Sequence, residues 1–219
     1  MEVYIEEVPS GGHRVVALHR MGLSKKHDMI VAFLGKSIKH YRKHFLKELS
    51  RIALVCPSCG GKTHWHAWYV RTIKGESERI RILRVRCSQC GKTHAVIPDF
   101  LSPYKRYPQT VQEAVLGQVV ENGIAVERIE AGVKLCFPAI DTIRRWVRRH
   151  RKRERQYIGA VAGFLERCGQ AVGEWSEGFG CFRHLVRLAQ QIEDVSVKGS
   201  CLLGQMNILL AISLPGLWI

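Results

Sequence analysis

Two short segments constrain this 219-residue chain more than any others, Cys56-Pro57-Ser58-Cys59-Gly60 and Cys87-Ser88-Gln89-Cys90-Gly91. Each places two thiols at i and i+3 of a tight turn, which is half of a tetrahedral four-thiolate site. The glycine that follows can take the positive φ needed to fold the chain back over a metal. The segments repeat one another, Cys59-Gly60-Gly61-Lys62-Thr63-His64 against Cys90-Gly91-Lys92-Thr93-His94. The pattern predicts a zinc ribbon with Cys56, Cys59, Cys87 and Cys90 as ligands. A disulfide pair, a redox C-x-x-C and ordinary buried thiols are the competing readings. The acidic start, Met1 to Glu7, lacks the basic and apolar stretches of an export signal, which favours a reducing compartment and hence metal. His64 and His94 have the chemistry to replace a thiolate, but four cysteines fill the tetrahedron, so both are read as polar loop residues. Cys136, Cys168, Cys181 and Cys201 are read as free, mostly buried thiols.

Between the knuckles, Trp65 to Val70 and Arg79 to Arg86 are rich in aromatic and β-branched residues and read as strands around a turn at Lys74 to Ser77. Arg79, Arg81, Arg84 and Arg86 are expected to form one basic face. Trp65, Trp68 and Tyr69 are expected to be the small sheet's core, with stacking of single-stranded RNA bases as the alternative. Upstream, Met29 to Leu34 has strand length, and Ser37 is suited to cap a helix that buries Ile38, Tyr41, Phe45 and Leu49. Downstream, the two prolines in Ala95 to Tyr104 suggest an extended connector.

The net charge of +15 implies an anionic partner, with nucleic acid first and an acidic membrane surface or protein behind it. The charge has a focus. Thr110 and Glu113 have capping-box spacing for a helix that Asn122-Gly123 stops, and a short helix is expected from Ala125 to Ala131. Pro138 then suits the first position of a helix to His150, with Ile140, Ile143, Trp146 and Val147 on its buried side. Thr142, Arg144, Arg145, Arg148, Arg149, Arg151 and Lys152 cover the rest. Three helices with the last one basic predict a helix-turn-helix, in which such a helix reads duplex DNA in the major groove.

Beyond Tyr157 the charges thin out and two further apolar helical stripes follow. The last stretch, Gly199 to Ile219, holds no charged residue. Its glutamine, asparagine and Pro215-Gly216 favour a buried terminal helix or an oligomer contact over a membrane span. The expected architecture is α+β, with an N-terminal extension over 1–28, a strand, helix and ribbon over 29–104, a helix-turn-helix over 105–155 and an accessory helical segment over 156–219.

The stretch from Met29 to about Arg153 resembles a bacterial family of uncharacterised, transposon-associated proteins. The shared features are the Cys56-Pro57-x-Cys59-Gly60 knuckle, the Ile82 to Cys87 strand, and Cys90-Gly91-Lys92-Thr93-His94-Ala95 followed by Ile97-Pro98-x-Phe100-Leu101-x-Pro103-Tyr104. The resemblance implies a zinc ribbon joined to a helix-turn-helix, as at the front of several insertion-sequence transposases, and carries no catalytic residues. The expected function is therefore duplex DNA binding for a mobile element, in the cytoplasm at the nucleoid, without nuclease activity. Expected partners are a separate transposase subunit or a second copy of the chain, with no small-molecule substrate. The alternatives are a transcription regulator, a complete transposase or nuclease using acids such as Asp99 or Asp141, and an RNA-binding zinc module.

Overall fold

A computed structural model describes residues 29–50, 52–129, 138–192, 195, 197–213 and 219. The predicted N-terminal extension, Cys136 and most of the loop before Pro138 lie outside them. The architecture is α+β, a four-stranded mixed sheet with a helix on it, followed by a helical layer.

The strands are β1 (Met29–Ala32), β2 (Thr63–Arg71), β3 (Ile80–Cys87) and β4 (Thr93–Pro98), in the order β1-β4-β3-β2. β4 runs antiparallel to β3 and parallel to β1. The segment expected to be a connector is thus an inner strand, and its proline falls at the strand's last position, where a missing N–H is tolerated. Between β1 and the first knuckle, α1 (Ile38–Leu49) begins at Ser37, whose hydroxyl accepts the His40 N–H at 3.1 Å. Tyr41, Phe45 and Leu49 are buried as expected, against a core of Ile30, Leu34, Ile82, Leu83 and Val96.

The helical layer begins with α2 (Gln109–Leu116), which continues as a π-helical turn to Glu121 and stops at Asn122-Gly123. The expected capping box does not form. Pro108 starts the helix without a side-chain cap, and the Glu113 carboxylate instead accepts the Leu203 N–H at 2.9 Å. Of the short helix expected at Ala125, one 3₁₀ turn at Val126–Arg128 is present among the described residues. Next comes α3 (Ile140–Arg167), 28 residues without a break. Pro138 lies two residues ahead of it rather than at its first position. A division at 155/156 falls inside this helix, because its buried stripe from Ile143 to Leu165 never leaves the same core.

α4 (Phe179–Ala189) and α5 (Leu202–Ser213) pack on α3 and on each other. α5 is buried on nearly all sides, as expected of an uncharged terminal helix, and no described helix is long and apolar enough to cross a membrane. It also joins the two layers, with Leu209 in the helical core and Ile208 against the sheet's core. Ser102 donates to the Ile219 carbonyl across the same seam at 3.1 Å.

Two carboxylates hold the start of α5, where free N–H groups and the helix dipole favour negative charge. One is Glu113. The other is Asp99, fully buried, whose Oδ2 accepts the Ser200 N–H at 2.5 Å and the Ser200 hydroxyl at 2.6 Å. Burial outweighs these bonds and pushes the Asp99 carboxyl up from 3.8 to about 6. A carboxyl raised on folding stabilises the fold below its unfolded value, and that contribution disappears as pH rises through the folded value. Asp99 is therefore expected to make wild type about 3 kcal/mol more stable, relative to Asp99→Asn, at pH 3.5 than at pH 8. Urea unfolding of the two proteins across this range isolates the term. Parallel stability curves would contradict it.

Candidate functional site

The knuckles bring four sulfurs together. Cys56, Cys59, Cys87 and Cys90 place their Sγ atoms all within 4.8 Å of one another, with Cys56 to Cys90 at 3.6 Å and Cys59 to Cys87 at 3.4 Å. A tetrahedron with metal–sulfur bonds of 2.3 Å requires separations of roughly 3.8 Å, so the group fits a thiophilic ion such as zinc.

The two turns are built alike. In each, the N–H of the glycine after the second cysteine returns to the carbonyl of the first, Gly60 to Cys56 at 2.8 Å and Gly91 to Cys87 at 3.2 Å. Both glycines have positive φ, 75° and 69°. Backbone N–H groups also point at sulfur, Ser58 at Cys56 and Gln89 at Cys87, each 3.4 Å away. Such donors offset negative charge on thiolates and orient them for a cation. Burial pushes the Cys56 thiol up to about 12, whereas the Cys90 N–H beside its sulfur holds Cys87 down to about 6. Binding a metal at this group accordingly drives a proton off Cys56.

The two histidines differ. His64 is exposed on β2, and its Nδ1 lies 3.4 Å from the Ser88 hydroxyl. His94 is no loop residue but a buried member of β4, and its Nε2 lies 3.2 Å from the Cys56 sulfur. It stands outside the four-sulfur group as a neighbour that supports one ligand. The alternation of β4 carries the signal for this, because His94, Val96 and Pro98 share its inward side with Cys87 and Val85 of β3.

The ribbon's arginines do not form one face. Paired residues in the ladder share a side, and successive residues alternate. Arg84 and Arg86, opposite Ala67 and His64, therefore lie on one side, with Tyr69 near Arg84. Arg81, opposite Val70, lies on the other, where its guanidinium sits 5.0 Å from the centre of the Phe45 ring. Arg79 precedes the strand and is exposed.

The aromatics depart furthest from expectation. β2 is an edge strand with no fully buried residue, and Trp65, Trp68 and Tyr69 are exposed rather than core. The small sheet does have a core, but β1, β3 and β4 supply it together with α1.

On α3 the predicted cations separate by position. Arg145, Arg148, Arg149 and Lys152 recur at i, i+3, i+4 and i+7 and so share one face, opposite the stripe of Ile143, Trp146, Val147 and His150. All are exposed except Arg149, which is half-buried. Arg151 is exposed farther round the helix. Arg144 is exposed and paired at 2.8 Å with Glu127, and Thr142 is half-buried. Of the acids considered for catalysis, Asp99 accepts from Ser200 just ahead of α5, and Asp141 pairs with Arg144 at 3.5 Å.

Residues 56–146 match a family model described as Domain of unknown function (DUF6431). The match begins at Cys56, the first cysteine of the four-sulfur group, and ends at Trp146, and so includes both knuckles, α2 and the start of α3. No curated protein and no solved structure matches the chain.

Proposed function

We propose that this chain is a zinc-stabilised protein that binds duplex DNA through the exposed cationic face of α3, with Arg84 and Arg86 of the ribbon as further phosphate contacts. The observation that carries this reading is the set Arg145, Arg148, Arg149 and Lys152, four cations on the solvent side of a helix whose opposite side is fixed in the core. A helix held in this way offers arginines to guanine edges and phosphates with little conformational freedom left to lose. Zinc's part is structural, since the four-thiolate set leaves no open position for chemistry. The target, by the resemblance, is the end of a mobile element, and the chain acts as the DNA-gripping part of a transposition system without cutting DNA itself.

The test is selection from a random duplex pool followed by affinity measurement across a salt series. An enriched motif is expected, with Arg145→Ala/Arg148→Ala lowering the log–log salt slope by about two and erasing the enrichment. A double variant that retains slope, affinity and motif would remove α3 from the interface.

A further inference from the structure

We propose that the outer edge of the ribbon is a second nucleic-acid surface, on which Trp65 and Trp68 stack the bases of single-stranded DNA.

The surface originates in an irregularity of β2. Residues three apart on a regular strand point to opposite sides. Here the pairing runs Trp65 with Val85 and then Ala67 with Arg84, so His66 is an extra residue, a β-bulge. A bulge re-aims the side chains that flank it. Its effect is to put both tryptophans on the side of Val85 and Leu83, with ring centres 5.8 Å apart and planes at 82°. Trp68 leans on Phe45 of α1 at 5.4 Å, which props the pair from behind. Despite that support, Trp65 is 50 % exposed and Trp68 38 %. Two large aromatic side chains held in fixed geometry and left in water are costly unless something covers them.

The surroundings indicate what does. β2 and β3 contain no acidic residue, and Arg81 lies exposed on the same side of the sheet as the tryptophans. Aromatic rings beside an exposed guanidinium match a flexible polyanion with exposed bases, since rings stack bases and the cation can meet a phosphate. Duplex DNA hides its base faces, so this surface takes a single strand. No carboxylate or amide side chain of either strand is present to engage a ribose hydroxyl, and the choice of DNA over RNA rests on the duplex reading above.

The experiment uses the full-length, zinc-loaded chain and a labelled oligothymidylate of about 15 nucleotides, near the upper span of one such platform. Trp65→Ala and Trp68→Ala are each expected to weaken its binding about tenfold or more, with Trp65→Phe retaining most of it. Metal content and duplex affinity are expected to stay at wild-type levels, which separates lost stacking from lost folding. Because the α3 double variant is expected to spare oligothymidylate binding, the two surfaces fail independently. Undiminished binding by both alanine variants would overturn the proposal. So would an oligouridylate bound tenfold more tightly than oligothymidylate, which would reassign the surface to RNA. A wild-type dimer that dissociates in Trp65→Ala and excludes the oligonucleotide would also overturn it, by making this edge a contact between copies.

Discussion

Cys87→Ser is expected to lose the metal and release β2 from the sheet while both hydrophobic cores remain assembled. The asymmetry follows from where apolar surface is buried. β1, β3 and β4 contribute Ile30, Val31, Ile80, Ile82, Leu83, Val85, Val96 and Ile97 to the sheet's core, whereas β2 contributes no fully buried residue. It is held by its ladder to β3, by the knuckles at its Thr63 end, by Trp68 against Phe45 and by Arg71, whose guanidinium donates to the Ser102 carbonyl at 2.7 Å. Structural zinc in small modules supplies on the order of 10 kcal/mol of apparent binding free energy, far more than an exposed two-strand ladder provides. One equivalent of zinc in wild type and none in the variant is the expected elemental analysis. Amide exchange should show protection lost from Thr63 to Arg71 but kept in α3 and α5. Cys168→Ser is the matched control, an exposed thiol away from the group. A Cys87→Ser protein with full metal content and a protected β2 would show that the four sulfurs are not the ligands.

The second large effect is expected at the seam between the layers. Gly204 faces Asp99 at the start of α5, and a Cβ there would lie 2.7 Å from Asp99 Oδ2 and 3.1 Å from the Asp99 carbonyl oxygen. The carboxylate cannot swing aside without giving up both Ser200 hydrogen bonds, and the carbonyl belongs to the backbone. Gly204→Ala gains about 1 kcal/mol of helix propensity, but overpacking of a buried contact costs about 1–3 kcal/mol and detaches a cap worth about 1 kcal/mol more. The net expectation is destabilisation by about 1–3 kcal/mol in chemical denaturation. Gly204→Val should be worse. Wild-type stability in both would mean that α5 does not approach Asp99 this closely.

The knuckles were legible because metal ligation is local. Two thiols and a glycine within five residues state the geometry in full. α1 was equally readable, since Ser37 and the Tyr41, Phe45 and Leu49 stripe are near neighbours. What escaped was non-local. β4 is flanked by β3 and, in parallel, by β1, some 66 residues earlier, while Pro98 at its end gave the opposite impression. Glu113 has the spacing of a local cap yet serves a helix 90 residues away. The change of composition near Tyr157 suggested a boundary, but a helix ends where its backbone lacks partners, not where its charges run out. Trp65 and Trp68 read from residue type as interior first, with base stacking as the alternative. Their exposure follows from the sheet order, which leaves β2 outermost, and from a bulge that only the partner strand reveals.

At about 1.5 Å per residue α3 is about 42 Å long, and it acts as a single rod. Its first half carries the cationic face over Ile143, Trp146 and Val147, and its second half continues the same buried stripe to Leu165. The tilt of the cationic half is set along the whole buried stripe, at Ile143, Trp146 and Val147 beneath the arginines and at Tyr157, Val161 and Leu165 beyond them. On the proposed duplex reading, substitutions in that stripe are expected to alter which base steps the arginines meet without touching an arginine, so that part of the specificity would be stored in the packing.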